Sequence, residues 1–281
     1  MRLGTIVVEG RPRPVVVRGD DTVVLIDTRA TGLAGIRAIA AGGQAALGRL
    51  QAWLDQQPAE AGMPLDTVAL GPAVPDPGAI FTVGLNYDGP GAPPRPERPL
   101  IYGKAASSVA GHGDTLTWDR ALTDNVDAEV ELGVVIGEAA TAVGPENAME
   151  HVLGYTCIND VSARDAWLDG DQWLLGKSMP GFCPAGPSVV TPDEFDPTDV
   201  RLGCTINGEA IQDGRTCDMR YSIPEILEYL ARHVRLQPGD LIATGTPARL
   251  ATPPGPERHL EPGDVVTCWI EGIGDLTTTV A

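Results

Sequence analysis

Asp127, Glu129 and Glu131 occupy alternate positions of the stretch Asp127-Ala-Glu-Val-Glu-Leu-Gly-Val-Val-Ile136. Val130, Leu132, Val134 and Ile136 take the places between and after them. The local pattern is a strand with carboxylates on one face and aliphatic groups on the other. Neighbouring carboxylates repel, and neither is readily buried without a cation or a proton. A hard divalent ion taking oxygen ligands from both is the simplest compensation. The competing reading is a solvated outer face of a sheet. Downstream, Cys157-Ile-Asn-Asp160-Val-Ser-Ala-Arg164-Asp165 ends an apolar stretch in a polar cluster and offers Asp160 as a third carboxylate. Trp173-Leu-Leu-Gly-Lys177-Ser178 then supplies a cation beyond a tight turn.

These groups need a scaffold, and the rest of the chain reads as mainly β with some α. Residues 3–8, 13–18 and 22–27 form three short strand patterns separated by turn residues. Residues 45–56 are rich in helix formers, with Leu47, Leu50 and Leu54 at helical spacing. A Pro- and Gly-rich stretch at 70–78 suggests a small N-terminal α+β domain over 1–75 and a catalytic domain over 76–281. Residues 79–85 are apolar and short, hence a buried strand. Residues 86–98 hold four prolines and two glycines, which makes them a loop and a candidate lid. Residues 146–153 read as a short helix and 154–158 as a strand. Asn207-Gly208 marks a hairpin turn. Ser222-Ile-Pro-Glu225 has capping-box spacing ahead of Ile226, Leu227 and Leu230.

The 281 residues carry a formal charge of −18, which argues against electrostatic binding of nucleic acid and would repel anionic substrates unless local cations offset it. Five scattered cysteines without a Cys-x-x-Cys pair fit free thiols in a reducing compartment. Neither a signal peptide nor a membrane span is legible, so a cytoplasmic protein is expected.

Taken in order, Val83-Gly-Leu-Asn-Tyr87, Glu129-x-Glu131, Gly154-Tyr-Thr-x-x-Asn-Asp160-x-x-x-Arg164-Asp165, Gly176-Lys177-Ser178, Gly186-Pro187, Ile206-Asn-Gly208, Pro238-Gly-Asp240 and Thr244-Gly-Thr-Pro247 closely resemble the fumarylacetoacetate hydrolase superfamily. The resemblance runs from about residue 79 to the C-terminus. It implies a mixed β-sandwich or roll, usually in a homodimer. It also implies Mg²⁺ (or Mn²⁺, or Ca²⁺) held by Glu129, Glu131 and Asp160, and action on 2-oxo, 1,3-dioxo or enol acids through an enolate. Lys177 would neutralise that charge, Arg164 would pair with a substrate or neighbouring carboxylate, and Thr246 would offer a hydroxyl to the substrate. Tyr87 is expected to line the pocket.

The departures from the family pattern are specific. Hydrolytic and decarboxylating members usually follow the Asn-Tyr with a short segment whose His and Glu move protons. Here Asn86-Tyr87-Asp88-Gly-Pro-Gly-Ala has neither. Trp167 stands where a glutamine is usual, and Arg249 where a glycine is usual, so both are expected to shape the substrate pocket, with Arg249 able to hold an anionic group. Three readings follow: tautomerase, isomerase or lyase chemistry, a C–C hydrolase with a relocated base, and a non-catalytic binding protein. His112, in Gly111-His-Gly, is the candidate replacement base, against the alternative of a surface turn. His151, His233 and His259 carry little functional weight at this level.

Overall fold

The computed structural model describes residues 1–19, 22–58, 60–89, 92–165, 172–250 and 258–281. β-Branched and proline-delimited segments at the start form Arg2–Val8 (β1) and Arg11–Arg18 (β2), paired antiparallel. Their two-residue turn has Glu9 and Gly10 both at positive φ, 50° and 72°, the backbone that matches strand twist in a tight hairpin. Thr22–Leu25 (β3) adds to β2, and Thr28–Thr31 (α1), Ile36–Ala41 (α2) and Gly43–Leu54 (α3) follow before the short strand Met63–Pro64 (β4).

Then come Ile80–Gly84 (β5), Leu100–Lys104 (β6), Val109–Ala110 (β7), Thr115–Leu116 (β8), Val126–Asp127 (β9), Val130–Ile136 (β10), Val152–Asn159 (β11), Ser162–Ala163 (β12), Cys183–Val190 (β13), Arg201–Ile206 (β14) and Glu209–Arg215 (β15). Ile223–His233 (α4), Leu241–Ala243 (β16), Val265–Ile270 (β17) and Gly274–Val280 (β18) complete the order.

One large sheet runs β4-β3-β2-β1-β13-β11-β10-β16-β5-β6, with β7 beside β13. A second runs β15-β14-β17-β18-β8, and β9 pairs with β12 in a two-stranded ribbon. The fold is mainly β with few helices, in open sheets. Because β1 pairs with β13, with Arg2 opposite Val190, the first strands extend the same sheet that carries β10 and β11.

The alternation of β10 divides the core. Val130, Leu132, Val134 and Ile136 pack with Leu202, Cys204, Val266 and Cys268 of the second sheet and with Ile226, Leu227 and Leu230 of α4. Val135, from the other face, joins Ile36, Ile39 and Leu50 of α2 and α3. Each such aliphatic side chain contributes about 1.5–3 kcal/mol on burial, so both faces of β10 are fixed and its register with them. Residues 146–153, expected as a helix, give only a 3₁₀ turn at Ala148–His151. Strand pairing of Val152 with Ile136 ends it before a second turn can form. The α4 start is as expected: the Glu225 carboxylate accepts from the Ser222 N–H at 2.7 Å. Among the described residues, no helix is long and apolar enough to cross a membrane.

Candidate active site

Glu131 is the second residue of β10, and Glu129 lies just ahead of it, where β9 and β10 part. Asn159 ends β11 beside them. Its Oδ1 accepts the Glu129 N–H at 3.0 Å, and the Asp160 N–H donates to the Glu129 carbonyl at 2.8 Å. This crossing carries Asp160 to the two glutamates, so that a carboxylate oxygen of each of the three lies within 4.8 Å of the others. Glu131 and Asp160 are 2% and 1% exposed. The acids therefore do not sit on a solvated outer face.

Burial of this much negative charge demands cations. Lys177, itself buried, directs Nζ to Asp160 Oδ2 at 2.5 Å, Ser162 Oγ at 2.8 Å and Glu129 Oε2 at 3.3 Å. Lys104, from the end of β6, meets Asp160 Oδ1 at 2.5 Å and the Val161 carbonyl at 3.0 Å. Arg164 bridges Asp127 Oδ2 at 2.7 Å and Glu129 Oε1 at 2.5 Å. Burial alone would raise Glu129, but Arg164 and Lys177, with hydrogen bonds from Arg164 and Ser162, outweigh it and hold the pKa at about 2. Burial opposes the charge on Lys177, yet Asp160, Glu129 and Glu131 raise its pKa and keep it an ammonium. Glu131 has the opposite balance. Burial, then the Asp160 charge, pushes it well above the usual carboxylate range, with Lys177 and the Gly245 N–H only partly offsetting. Among the described residues no salt bridge reaches Glu131.

That deficit is the test of fit for a divalent ion. Two buried carboxylates and the partly exposed Glu129 supply hard oxygen donors, one of them short of positive charge, which is the donor set Mg²⁺ or Mn²⁺ takes.

The cavity over the acids is about 340 Å³. Gly245 turns the chain at φ 104°, where a β-carbon would fall 2.6 Å from Asn86, and donates its N–H to Glu131 Oε2 at 2.7 Å. Next to it, Thr246 is held by Gln212 of β15. The Val130 N–H donates to Gln212 Oε1 at 3.0 Å, which fixes the amide. Its Nε2 must then donate to Thr246 Oγ1 at 2.7 Å and to the Pro247 carbonyl at 2.8 Å. Thr246 accepts there, leaving its own proton to face a ligand. Tyr87 and Thr82 also line the cavity, each with a buried hydroxyl that has no hydrogen-bond partner among the described residues. Burial, then Glu131, raises the Tyr87 pKa, so that hydroxyl stays a donor.

The described parts of the 86–98 segment are tied down by hydrogen bonds. Arg220 donates to Asp88 Oδ1 at 2.8 Å and to the Leu85 and Pro93 carbonyls, and Tyr221 donates to the Pro96 carbonyl. Asn86, fully buried, exchanges hydrogen bonds with Tyr221 and donates to the Thr244 carbonyl.

Glu129, Glu131, Asp160, Lys177, Arg164, Thr246, Tyr87 and Arg249 thus come together around one cavity. Trp167 lies outside the described residues. His112 is elsewhere: it lines a larger groove of about 1140 Å³ with Arg2 and Asp275, and its Nδ1 lies 3.1 Å from the Asp275 carbonyl. Of the two readings of His112, its placement agrees with the turn and not with the replacement base, because the pairing of β8 with β18 carries the preceding turn away from the acids. Among the described residues that larger groove has only Asp66 and Asp275 as acids, whereas the smaller cavity is lined by the three-carboxylate group. None of the chain's four histidines lines it.

Sequence reasoning passed over Lys104, Gln212, Arg220 and the role of Asp127. Asp127, 2% exposed, binds Arg164, Arg249 Nη1 at 3.1 Å and His259 Nδ1 at 2.8 Å, instead of joining the acid cluster. Only Asp127 carried a sequence signal, through its strand spacing from Glu129.

The family model described as Fumarylacetoacetate (FAA) hydrolase C-terminal matches residues 79–281. Among solved structures, the chain is similar to a fumarylacetoacetate hydrolase from psychrophilic Exiguobacterium antarcticum, with TM-score 0.86 and 34% identity over 100% of this chain and 99% of that one. It is similar to 5-carboxymethyl-2-hydroxymuconate delta-isomerase from Mycobacterium smegmatis, with TM-score 0.80 and 32% identity over 100% and 99% of the two chains. Maleylpyruvate hydrolase from Sphingobium sp. SYK-6, solved with manganese(II) and pyruvate, gives TM-score 0.82 and 27% identity over 100% and 99%.

Proposed function

The chain belongs to the fumarylacetoacetate hydrolase family and is an enzyme of that superfamily, and from this premise we propose that it shifts protons on a 2-oxo or 1,3-dioxo acid as a tautomerase, isomerase or lyase. The observation that carries the proposal is the carboxylate trio with Lys177 in a cavity that, among the described residues, no histidine lines.

Glu129, Glu131 and Asp160 would hold the divalent ion. When bound, the ion supplies the Lewis acid that makes the carbon beside the keto group acidic and steadies the resulting enolate charge. The manganese and pyruvate recorded with the maleylpyruvate hydrolase relative support this assignment. Lys177, kept protonated by its carboxylates, adds positive charge to the same place. Thr246 and Tyr87 present hydroxyl protons to substrate oxygens. The Asn86–Pro94 segment lacks the His and Glu of the family's hydrolytic members, and the isomerase relative supports the proton-shift reading over hydrolysis of a C–C bond.

Hydrolysis is the second reading, favoured by the likeness to maleylpyruvate hydrolase. The deciding experiment follows C3 proton exchange and product formation by NMR for oxaloacetate and simple acylpyruvates, with Mn²⁺ or Mg²⁺ and with EDTA. Metal-dependent exchange without cleavage is expected. Release of two acids would make the enzyme a hydrolase, and absence of exchange and cleavage throughout would overturn both readings.

A further inference from the structure

Tyr102 on β6 and Trp173 both line the acid-lined cavity and stack face to face, with centroids 4.5 Å apart and planes 6° from parallel. Gly84 makes room for them, since a β-carbon there would lie 2.6 Å from the Tyr102 ring. Leu85 extends this surface and is 48% exposed. Leu174 and Leu175, next after Trp173, are exposed as well. Pro93, Pro247 and Ala248 add more apolar lining. Exposed apolar surface gathered beside a polar site is where a ligand's apolar part is buried.

The cations along the same cavity are matched by acids. Arg164 meets Asp127 and Glu129, and Arg249 meets Asp127. Arg220 meets Asp88, and Lys177 meets Glu129 and Asp160. Asp127, which is not one of the three metal-ligand acids, meets both Arg164 and Arg249. A carboxylate at the far end of a substrate would leave water for arginines that Asp127 and Asp88 already meet, inside a chain of formal charge −18.

We propose that the substrate is a 2-oxo acid whose distal end is an apolar group, an aryl ring above all, laid against Tyr102 and Trp173, in place of a second carboxylate. The inference rests on the oxo-acid reading of the site. It sets aside the expectation that Arg249 receives an anionic group and assigns that arginine to Asp127.

4-Phenyl-2-oxobutanoate and 2-oxoglutarate share the 2-oxo acid head and differ in the group on C4, phenyl against carboxylate. With the Mn²⁺-loaded full chain, C3 exchange is followed by NMR and binding by isothermal titration for each. The phenyl compound is expected to be favoured by about tenfold or more in both, the order for burying one ring face. Trp173→Ala should remove most of that preference, and Trp173→Phe, which restores a ring, should keep it. Exchange with no preference, or with 2-oxoglutarate preferred, overturns this inference alone. A preference unchanged in Trp173→Ala also overturns it, because the apolar contact would lie elsewhere. Neither exchange nor binding of either compound overturns the oxo-acid reading and this inference with it.

Discussion

Lys104 Nζ and Lys177 Nζ each lie 2.5 Å from Asp160, one at Oδ1 and the other at Oδ2, so a single carboxylate is clamped between two buried ammonium groups. Stranding a buried charge outright costs about 3–5 kcal/mol, and Lys104→Met leaves Asp160 with Lys177 alone, so the metal-free variant should lose stability by part of that, about 1–3 kcal/mol, in urea titrations with EDTA. Adding Mn²⁺ should recover more stability in the variant than in the parent, since the ion restores positive charge beside Asp160. A loss below about 1 kcal/mol, the range of a surface pair, would show that Lys104 is not required there.

Glu131 predicts a proton linkage. Its folded pKa is raised by burial and by Asp160. A raised carboxyl keeps its proton in the folded, metal-free chain at a pH where the unfolded chain has released it. Stability of the metal-free form should thus fall as pH rises from the ordinary glutamate range through the raised value. Metal uptake must expel that proton, so Mn²⁺ affinity should increase as pH rises from the ordinary glutamate range through the raised value. Calorimetric titrations in buffers of different ionisation enthalpy measure the release directly. An affinity flat with pH would remove Glu131 from the ligand set.

The Gln212–Thr246 pair predicts an effect of hydrogen-bond direction. Gln212 donates to Thr246, which frees the threonine proton for the substrate. Gln212→Glu would accept that proton and turn it away. Its kcat/KM should then fall about as far as in Thr246→Val, on the order of tenfold to a hundredfold for one lost donor. The double variant should be no worse than either single one, as expected for groups acting as a unit. Full activity in Gln212→Glu would show that Thr246 does not donate.

Parts of this site are legible in local sequence. The two-residue alternation of β10 sets Glu131 opposite Val130 and Leu132, and both faces of the strand are then fixed by packing. Asn207-Gly208 and Ser222-x-x-Glu225 carry their own turn and cap chemistry. Histidine position was not legible. His112 neighbours a polar turn in sequence but belongs with Asp275 and Thr277. His259 lies in a proline-rich stretch, yet the Leu260 N–H donates to the Val126 carbonyl at 2.8 Å and brings the ring to Asp127.

The sequence by itself determined the carboxylate pattern, the mainly β character and the family resemblance, because each rests on residue type and short spacing. Only the tertiary structure decided which charges neutralise which. Lys104 reaches Asp160 across 56 residues and Gln212 reaches Val130 across 82. Such partners are set by tertiary packing, since β6 lies three strands from β10 at the edge of one sheet and β15 belongs to the other sheet. Whether a buried charge has a counter-ion depends on that three-dimensional neighbourhood, and no local spacing encodes it.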